Sequence, residues 1–178
     1  MSNDVIYMFA MSLDGFIARP DGAFDWLEKY PADADFDFDS FLSSLSGIVM
    51  GRASYEAARS GGRWGYGRWP VAVATSHAIG DGPEGVEAVS GSPADLLANL
   101  SGRGANGRIW LFGGGDLVRQ FLRDGLLDTI EIGTIPVILG NGLPAFGDPQ
   151  ADVWLELDFA KPLANGALHS RYRVKREA

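Results

Sequence analysis

Apolar residues fall in short clusters bounded by glycine, proline, serine or aspartate. Val5 to Met11 is an almost unbroken apolar run, the pattern of a strand buried on both faces. Ile48 to Met50, Val71 to Ala74, Val86 to Val89 and Ile109 to Phe112 repeat that pattern and predict four more strands. Between them the spacing turns helical. Phe38, Phe41, Leu42 and Leu45 lie on one stripe. Ser92 followed by Pro93 reads as a helix cap and first helical position, opening Ala94 to Leu100. Leu117, Val118, Phe121 and Leu122 form another stripe, which stops near Gly125.

The last third changes character. Thr129 to Ile138 is β-rich and meets Pro136 and a glycine-rich turn. Val153, Leu155, Leu157 and Phe159 alternate with polar residues, and so do Leu168, Ser170, Tyr172 and Val174. Asn165-Gly166 marks the turn between the two runs. The pattern predicts a three-layer α/β fold: a mixed, mainly parallel sheet flanked by helices, with a C-terminal antiparallel hairpin at its edge. No repeat or linker divides residues 1–178, so a single domain is expected.

Composition narrows the function. The chain has no cysteine, which excludes disulfides and thiolate chemistry. The formal net charge of −8 disfavours nucleic acid and anionic membrane as partners, but a local site can still take an anionic cofactor. No stretch is long and apolar enough to span a bilayer, and Met1 to Asp4 has no basic lead into an apolar run, so the cytoplasm is the expected compartment. The two histidines, His77 and His169, are too few and too far apart to suggest a metal site.

Three strand ends carry groups suited to phosphate. Ile109 to Phe112 runs into Gly113, Gly114, Gly115 and Asp116 before a helical stripe. Glycines there let an anion reach the helix N-terminus, although a tight turn without ligand has the same sequence. Met50-Gly51-Arg52-Ala53-Ser54 places an arginine fork and a hydroxyl at another helix start. Ala74-Thr75-Ser76-His77 places two hydroxyls after a third strand. Ligands of open α/β sheets bind outside the carboxyl ends of the strands. Gly102 to Gly107 matches GxGxxG but precedes a strand instead of following one, so it reads as a loop. Acids are plentiful: Asp14 after the first strand, Asp25 in a loop, and Asp33, Asp35, Asp37 and Asp39 before and within the second helical pattern. Most read as solvated and one as the helix cap. A buried one could orient a substrate or deliver a proton.

The run Met11-Ser12-Leu13-Asp14-Gly15-Phe16-Ile17-Ala18 resembles the first-strand motif of the dihydrofolate reductase-like superfamily. Met50-Gly51-Arg52 with Ser54-Tyr55-Glu56, then Phe112 to Gly115, and then Ile135 to Phe146 (IPVILGNGLPAF) follow in the family's order. The late segment is similar to the branch that holds the reductase domain of the bifunctional riboflavin-pathway deaminase-reductase. The resemblance implies the superfamily's fold and NADPH as cofactor. It would set Gly51, Arg52 and Ser54 at the phosphates and Thr75 and Ser76 near the adenosine ribose and 2′-phosphate. Gly113, Gly114, Gly115, Asp116 and Leu117 would cradle the pyrophosphate, with a cis peptide at Gly113-Gly114. Ala10, Ile17 and Ala18 would contact the nicotinamide. Asp14, Asp35 and Asp39 are the candidate catalytic acids. Ala53-Ser54 replaces the family's frequent Lys-Thr, removing one cation.

The implied activity is NADPH-dependent reduction of a small heterocyclic or ribosylamino-type molecule, as in 5-amino-6-(5-phosphoribosylamino)uracil reductase. The alternatives are a true dihydrofolate reductase and a catalytically silent NADPH-binding dimeric protein. A homodimer is expected, with Leu168 to Val174 as a candidate edge for the contact. Arg63, Trp64, Tyr66, Arg68 and Trp69 form a basic-aromatic loop that reads as a lid, a dimer contact or a surface loop.

Overall fold

The computed structural model describes residues 3–30, 37–60 and 64–176, so Asp33, Asp35 and Arg63 lie outside the described residues. The chain order is β1 (Asp4–Ser12), β2 (Phe16–Ala18), α1 (Asp25–Glu28), α2 (Phe38–Ser43), β3 (Leu45–Gly51), α3 (Arg52–Ser60), β4 (Val71–Ala74) and β5 (Val86–Val89). It continues with α4 (Pro93–Gly102), β6 (Arg108–Gly113), α5 (Gly115–Arg123), β7 (Thr129–Ile135), β8 (Leu143–Pro144), β9 (Leu155–Pro162) and β10 (Leu168–Val174).

Eight strands form one sheet in the order β5-β4-β3-β6-β1-β7-β10-β9. The pairings from β5 to β7 are parallel, and β10 runs antiparallel to both its neighbours. This is the expected three-layer mixed fold. On one face Val5, Tyr7, Val49, Ile109, Leu111, Ile130 and Ile132 pack under Leu96 and Leu100 of α4 and Leu117, Val118 and Phe121 of α5. On the other face Ile6, Met8, Ile48, Met50, Val71, Val73 and Trp110 pack against Tyr55 of α3 and Phe41 and Leu42 of α2. The continuous apolar runs exist because the inner strands are covered on both sides.

Local signals explain the helix ends. Ser92 accepts from the Asp95 amide and Asp95 from the Ser92 amide, a capping box worth about 1 kcal/mol, with Pro93 in the first turn. Gly125 follows α5 at φ +65°, the left-handed stop its sequence predicts. Asp37 caps α2 by accepting from the Ser40 amide at 2.8 Å.

Five expectations need correction. The α2 stripe ends at Ser43, and Leu45 instead begins β3. Val86–Val89 is not buried on both faces: β5 is the sheet edge, and Glu87 and Ala88 are exposed. Asp25 starts a short helix instead of lying in a loop. A bulge at Arg171/Tyr172 breaks the alternation of β9, so that Leu157 pairs with Tyr172 but Phe159 with Arg171 on the opposite face. Finally, β10 is no free edge, because β7 and β9 flank it; the edge on the hairpin side is β9. The pair β2–β8 forms a small second sheet that joins the first-strand turn to the late loop.

Candidate functional site

Parallel order brings the carboxyl ends of β4, β3, β6 and β1 side by side. From β4 to β1 is three strand spacings, about 14 Å, comparable with an extended dinucleotide. Gly51 ends β3 so close to β6 that a Cβ there would stand 3.4 Å from the Gly113 carbonyl oxygen. The Gly113-Gly114 peptide is cis, as the resemblance implies, and Gly113 has φ +120°. A Cβ on Gly114 would meet only Ser54 Oγ, at 3.9 Å, so the Gly114 backbone is open on the side that Ser54 faces.

Arg52 ties two strand ends together. Its guanidinium donates to Glu56 Oε1 at 2.7 Å, to the Ala78 carbonyl at 3.2 Å and to Thr75 Oγ1 at 3.5 Å. The fork is oriented and still partly exposed. Ser76 lies one residue beyond, its hydroxyl 3.3 Å from His77 Nδ1. Gly114 is the N-cap of α5, and the first-turn amides of Gly115 and Asp116 have no acceptor within the helix. The Asp116 carboxylate points to solvent beside Arg119 at 3.7 Å. The Leu117 side chain is buried in the core, so only its backbone borders the site.

The other end of the row is built by the Ser12–Gly15 turn and the late loop. Ser12 is buried and its hydroxyl accepts from the Phe16 amide at 3.0 Å. The Asp14 carboxylate accepts from the Leu139 amide at 3.1 Å and the Gly140 amide at 2.7 Å. The Ala145 amide donates to the Gly15 carbonyl at 3.1 Å, and Tyr7 Oη donates to the Ala145 carbonyl at 2.9 Å. Asp14 and Leu139, 125 residues apart in sequence, thereby close on each other, and β2, which carries Ile17 and Ala18, lies against β1 and pairs with β8.

Asp14 therefore has a structural task. Ser12, followed by the loop amides, holds its carboxyl below the ordinary aspartate range. A group whose folded pKa is depressed contributes above its unfolded pKa and loses the contribution as pH falls through the folded value. The Leu139 and Gly140 amide proton resonances should thus titrate with a midpoint below that of an ordinary aspartate. Asp14→Ala should abolish that titration and speed proteolysis of the 137–147 loop. An ordinary midpoint in the unmodified protein would contradict the clamp.

The remaining acids divide. Asp39 sits exposed in the first turn of α2. Asp25 is held down at about 2 by Arg19, with Lys29 adding to the effect. The aromatic loop resolves into packing: Trp69 is buried and donates to the Leu45 carbonyl at 3.1 Å, and Tyr66 stands edge-on to Trp110 and Phe112. Trp26 is buried over Ile135 and Ala167, next to Ala10, and its Nε1 has no hydrogen-bond partner among the described residues.

One further polar cluster joins β7 to β10, with no motif in the sequence to mark it. Glu131, buried in β7, lies with Oε1 2.7 Å from His169 Nε2 and accepts from Arg171 Nε at 2.8 Å on β10. The signal was a lone carboxylate centred in an apolar strand, Thr129-Ile-Glu-Ile-Gly133.

A model of the RibD C-terminal domain matches residues 3–168. The protein YwjB of Bacillus subtilis (strain 168) is 29% identical over 167 residues, spanning 90% of this chain and 92% of its own. A solved protein from Shewanella sp. PV-4 is 30% identical with a TM-score of 0.84, covering 99% of this chain and all (100%) of its own. The Thermotoga maritima diaminohydroxyphosphoribosylaminopyrimidine deaminase/5-amino-6-(5-phosphoribosylamino)uracil reductase shares the fold at 18% identity and a TM-score of 0.68, with 98% of this chain matching 57% of that one. The dihydrofolate reductase of Enterococcus faecalis, solved with NADP(H), shares it at 15% identity and a TM-score of 0.68, covering 97% of each chain. With its motifs, its sheet order and a family match over nearly its whole length, the chain belongs to the RibD C-terminal domain family.

Proposed function

We propose that this protein is an NADPH-dependent reductase of a small heterocyclic or ribosylamino-type substrate. The observation that carries the reading is the convergence of Gly51-Arg52, Thr75-Ser76 and Gly113-Gly114-Gly115 on one rim, joined by the Arg52 bond to Thr75 and the open Gly114 backbone. Family membership and the reductase neighbours support the reaction type.

When bound, the cofactor would supply a hydride from its dihydronicotinamide ring. The chain's own groups would do the holding. The α5 amides and Ser54 would take the pyrophosphate, since helix N-termini favour anions. Arg52, Thr75 and Ser76 would take the ribose and its 2′-phosphate. Ala10 and Ala18 are small enough to admit a ring against the sheet, and Ile17 would add an apolar contact. Asp14 would act by fixing the loop that carries this wall, with Asp39 and Asp35 as further candidate acids. The buried Trp26 indole offers an unused donor beside Ala10.

Titration with NADPH, followed by nicotinamide fluorescence, should saturate at micromolar cofactor. NADPH absorbance should then fall on adding 5-amino-6-(5-phosphoribosylamino)uracil, and far more slowly on adding dihydrofolate. No binding at millimolar NADPH would sink the proposal; faster turnover of dihydrofolate would move the protein to the other enzyme class.

A further inference from the structure

The face of the sheet that carries Ala10 has a polar wall for which the cofactor-site residues give no role. The β1–β7–β10 register puts Met8 opposite Glu131, which in turn faces Arg171, and Phe112 packs in the same cluster as Met8. The next row toward the carboxyl ends is Ala10, Gly133, His169 and Lys161. His169 therefore stands two strand spacings, about 10 Å, from Ala10. Between them is Gly133, where a Cβ would find only the Phe9 carbonyl oxygen, at 4.0 Å, among the described residues. The result is a floor made of Ala10 and Gly133, with Trp26 packed near Ala10 and His169 at the other side.

The edge is held rigidly. The Glu131 side chain is 6% exposed and bridges His169 and Arg171. Phe159 backs the cluster from β9, its ring edge-on to His169 at 4.9 Å and under the Arg171 guanidinium at 5.1 Å. Glu131 is buried while His169 and Arg171 keep 14% and 34% of their side chains exposed, and a buried ion pair contributes little to stability that apolar residues would not supply, so the cluster points to use. Among the described residues, the charged groups that face His169 are Glu131 from β7, Arg171 on its own strand and Lys161 from β9.

We infer that His169, oriented by Glu131, borders the substrate over Gly133 and donates the proton that completes reduction. This rests on the reductase reading. The bound dihydronicotinamide would supply a hydride, with both electrons, to the carbon of a substrate C=N bond. As the π bond breaks, the neighbouring nitrogen takes a proton from the His169 imidazolium. His169 is left neutral, beside the Glu131 carboxylate, and regains its proton from solvent. Arg171 holds the Glu131 carboxylate in place throughout.

The chain's two histidines make the test selective, because each reports one end of the site. In protein with labelled histidine rings, NADP⁺ alone should shift the His77 resonances. Adding 5-amino-6-(5-phosphoribosylamino)uracil to that complex should shift those of His169. His169→Gln should lower kcat about 100-fold and remove its fall at alkaline pH, while NADPH affinity stays within about twofold. Glu131→Gln should lower kcat as well, with KM little changed. Absence of any His169 response to the uracil in the NADP⁺-bound protein overturns the inference, and this arm needs no variant to fold. Unchanged kcat and pH profile in folded His169→Gln overturn it too, while leaving the reductase reading intact. Failure of the unmodified protein to bind NADPH overturns both, and is read separately.

Discussion

Gly114→Val is expected to yield a folded protein whose affinity for NADPH is about 100-fold weaker, a loss of about 2.7 kcal/mol. Gly114 has φ −82° and ψ −172°, extended backbone that valine adopts readily. Its added carbons would meet only Ser54 Oγ, 3.9 Å from the Cβ, so the sheet and α5 need not move. The same carbons would fill the gap through which a phosphate must reach the first-turn amides of α5. Losing one or two hydrogen bonds to a charged group costs about 1.5–3 kcal/mol each, which sets the magnitude. Fluorescence titration measures the affinity, and a thermal melt confirms the fold. Unchanged affinity in a protein that melts normally would mean that the glycine turn serves packing alone.

The strand-to-helix turns of the proposed phosphate end were legible because their signals are local. A strand that runs into glycine and then a helical stripe is readable at Phe112 to Leu117 and again at Met50 to Ser54. The sheet order was not readable, so the sequence could not say that Arg52 reaches Thr75 or that Gly51 faces Gly113. Asp14 shows the same limit. As an isolated aspartate after a strand it suits a turn or an acid equally. Only the return of the chain at Leu139 and Gly140 shows two amides waiting for its carboxylate.

Glu131 and His169 were missed for a related reason. They are 38 residues apart, and each alone reads as an ordinary polar residue of a half-buried strand. The bulge in β9 was equally hidden, since the alternation from Val153 to Phe159 carries no mark of an inserted residue. Its consequence is local packing: the bulge turns Phe159 onto the face of Arg171 and His169, where it backs the polar cluster.

Gly115→Ala is expected to do the opposite of Gly114→Val, destabilising the protein by about 2–3 kcal/mol. Propensity alone predicts a gain of about 1 kcal/mol, because alanine favours a helix over glycine. Sterics decide the sign. A Cβ on Gly115 would lie 2.5 Å from the Pro144 carbonyl oxygen and 2.7 Å from the Gly147 amide nitrogen, both backbone atoms. The contact is reciprocal, since a Cβ on Gly147 would lie 2.9 Å from the Gly115 carbonyl oxygen. The late loop cannot swing away cheaply. The buried Tyr7 hydroxyl, whose ionisation burial strongly disfavours, donates to the Ala145 carbonyl, and the Ala145 amide is held by Gly15. Relief of the clash must break one of these bonds or tilt α5 out of the core built by Leu117, Val118 and Phe121. For a chain of 178 residues the loss corresponds to a melting temperature lower by roughly 5–10 °C. A melting temperature equal to or above that of the unmodified protein would show that the loop is not pinned to α5. The two neighbouring glycines thus carry separate demands: an open approach at Gly114, and contact with the returning late loop at Gly115.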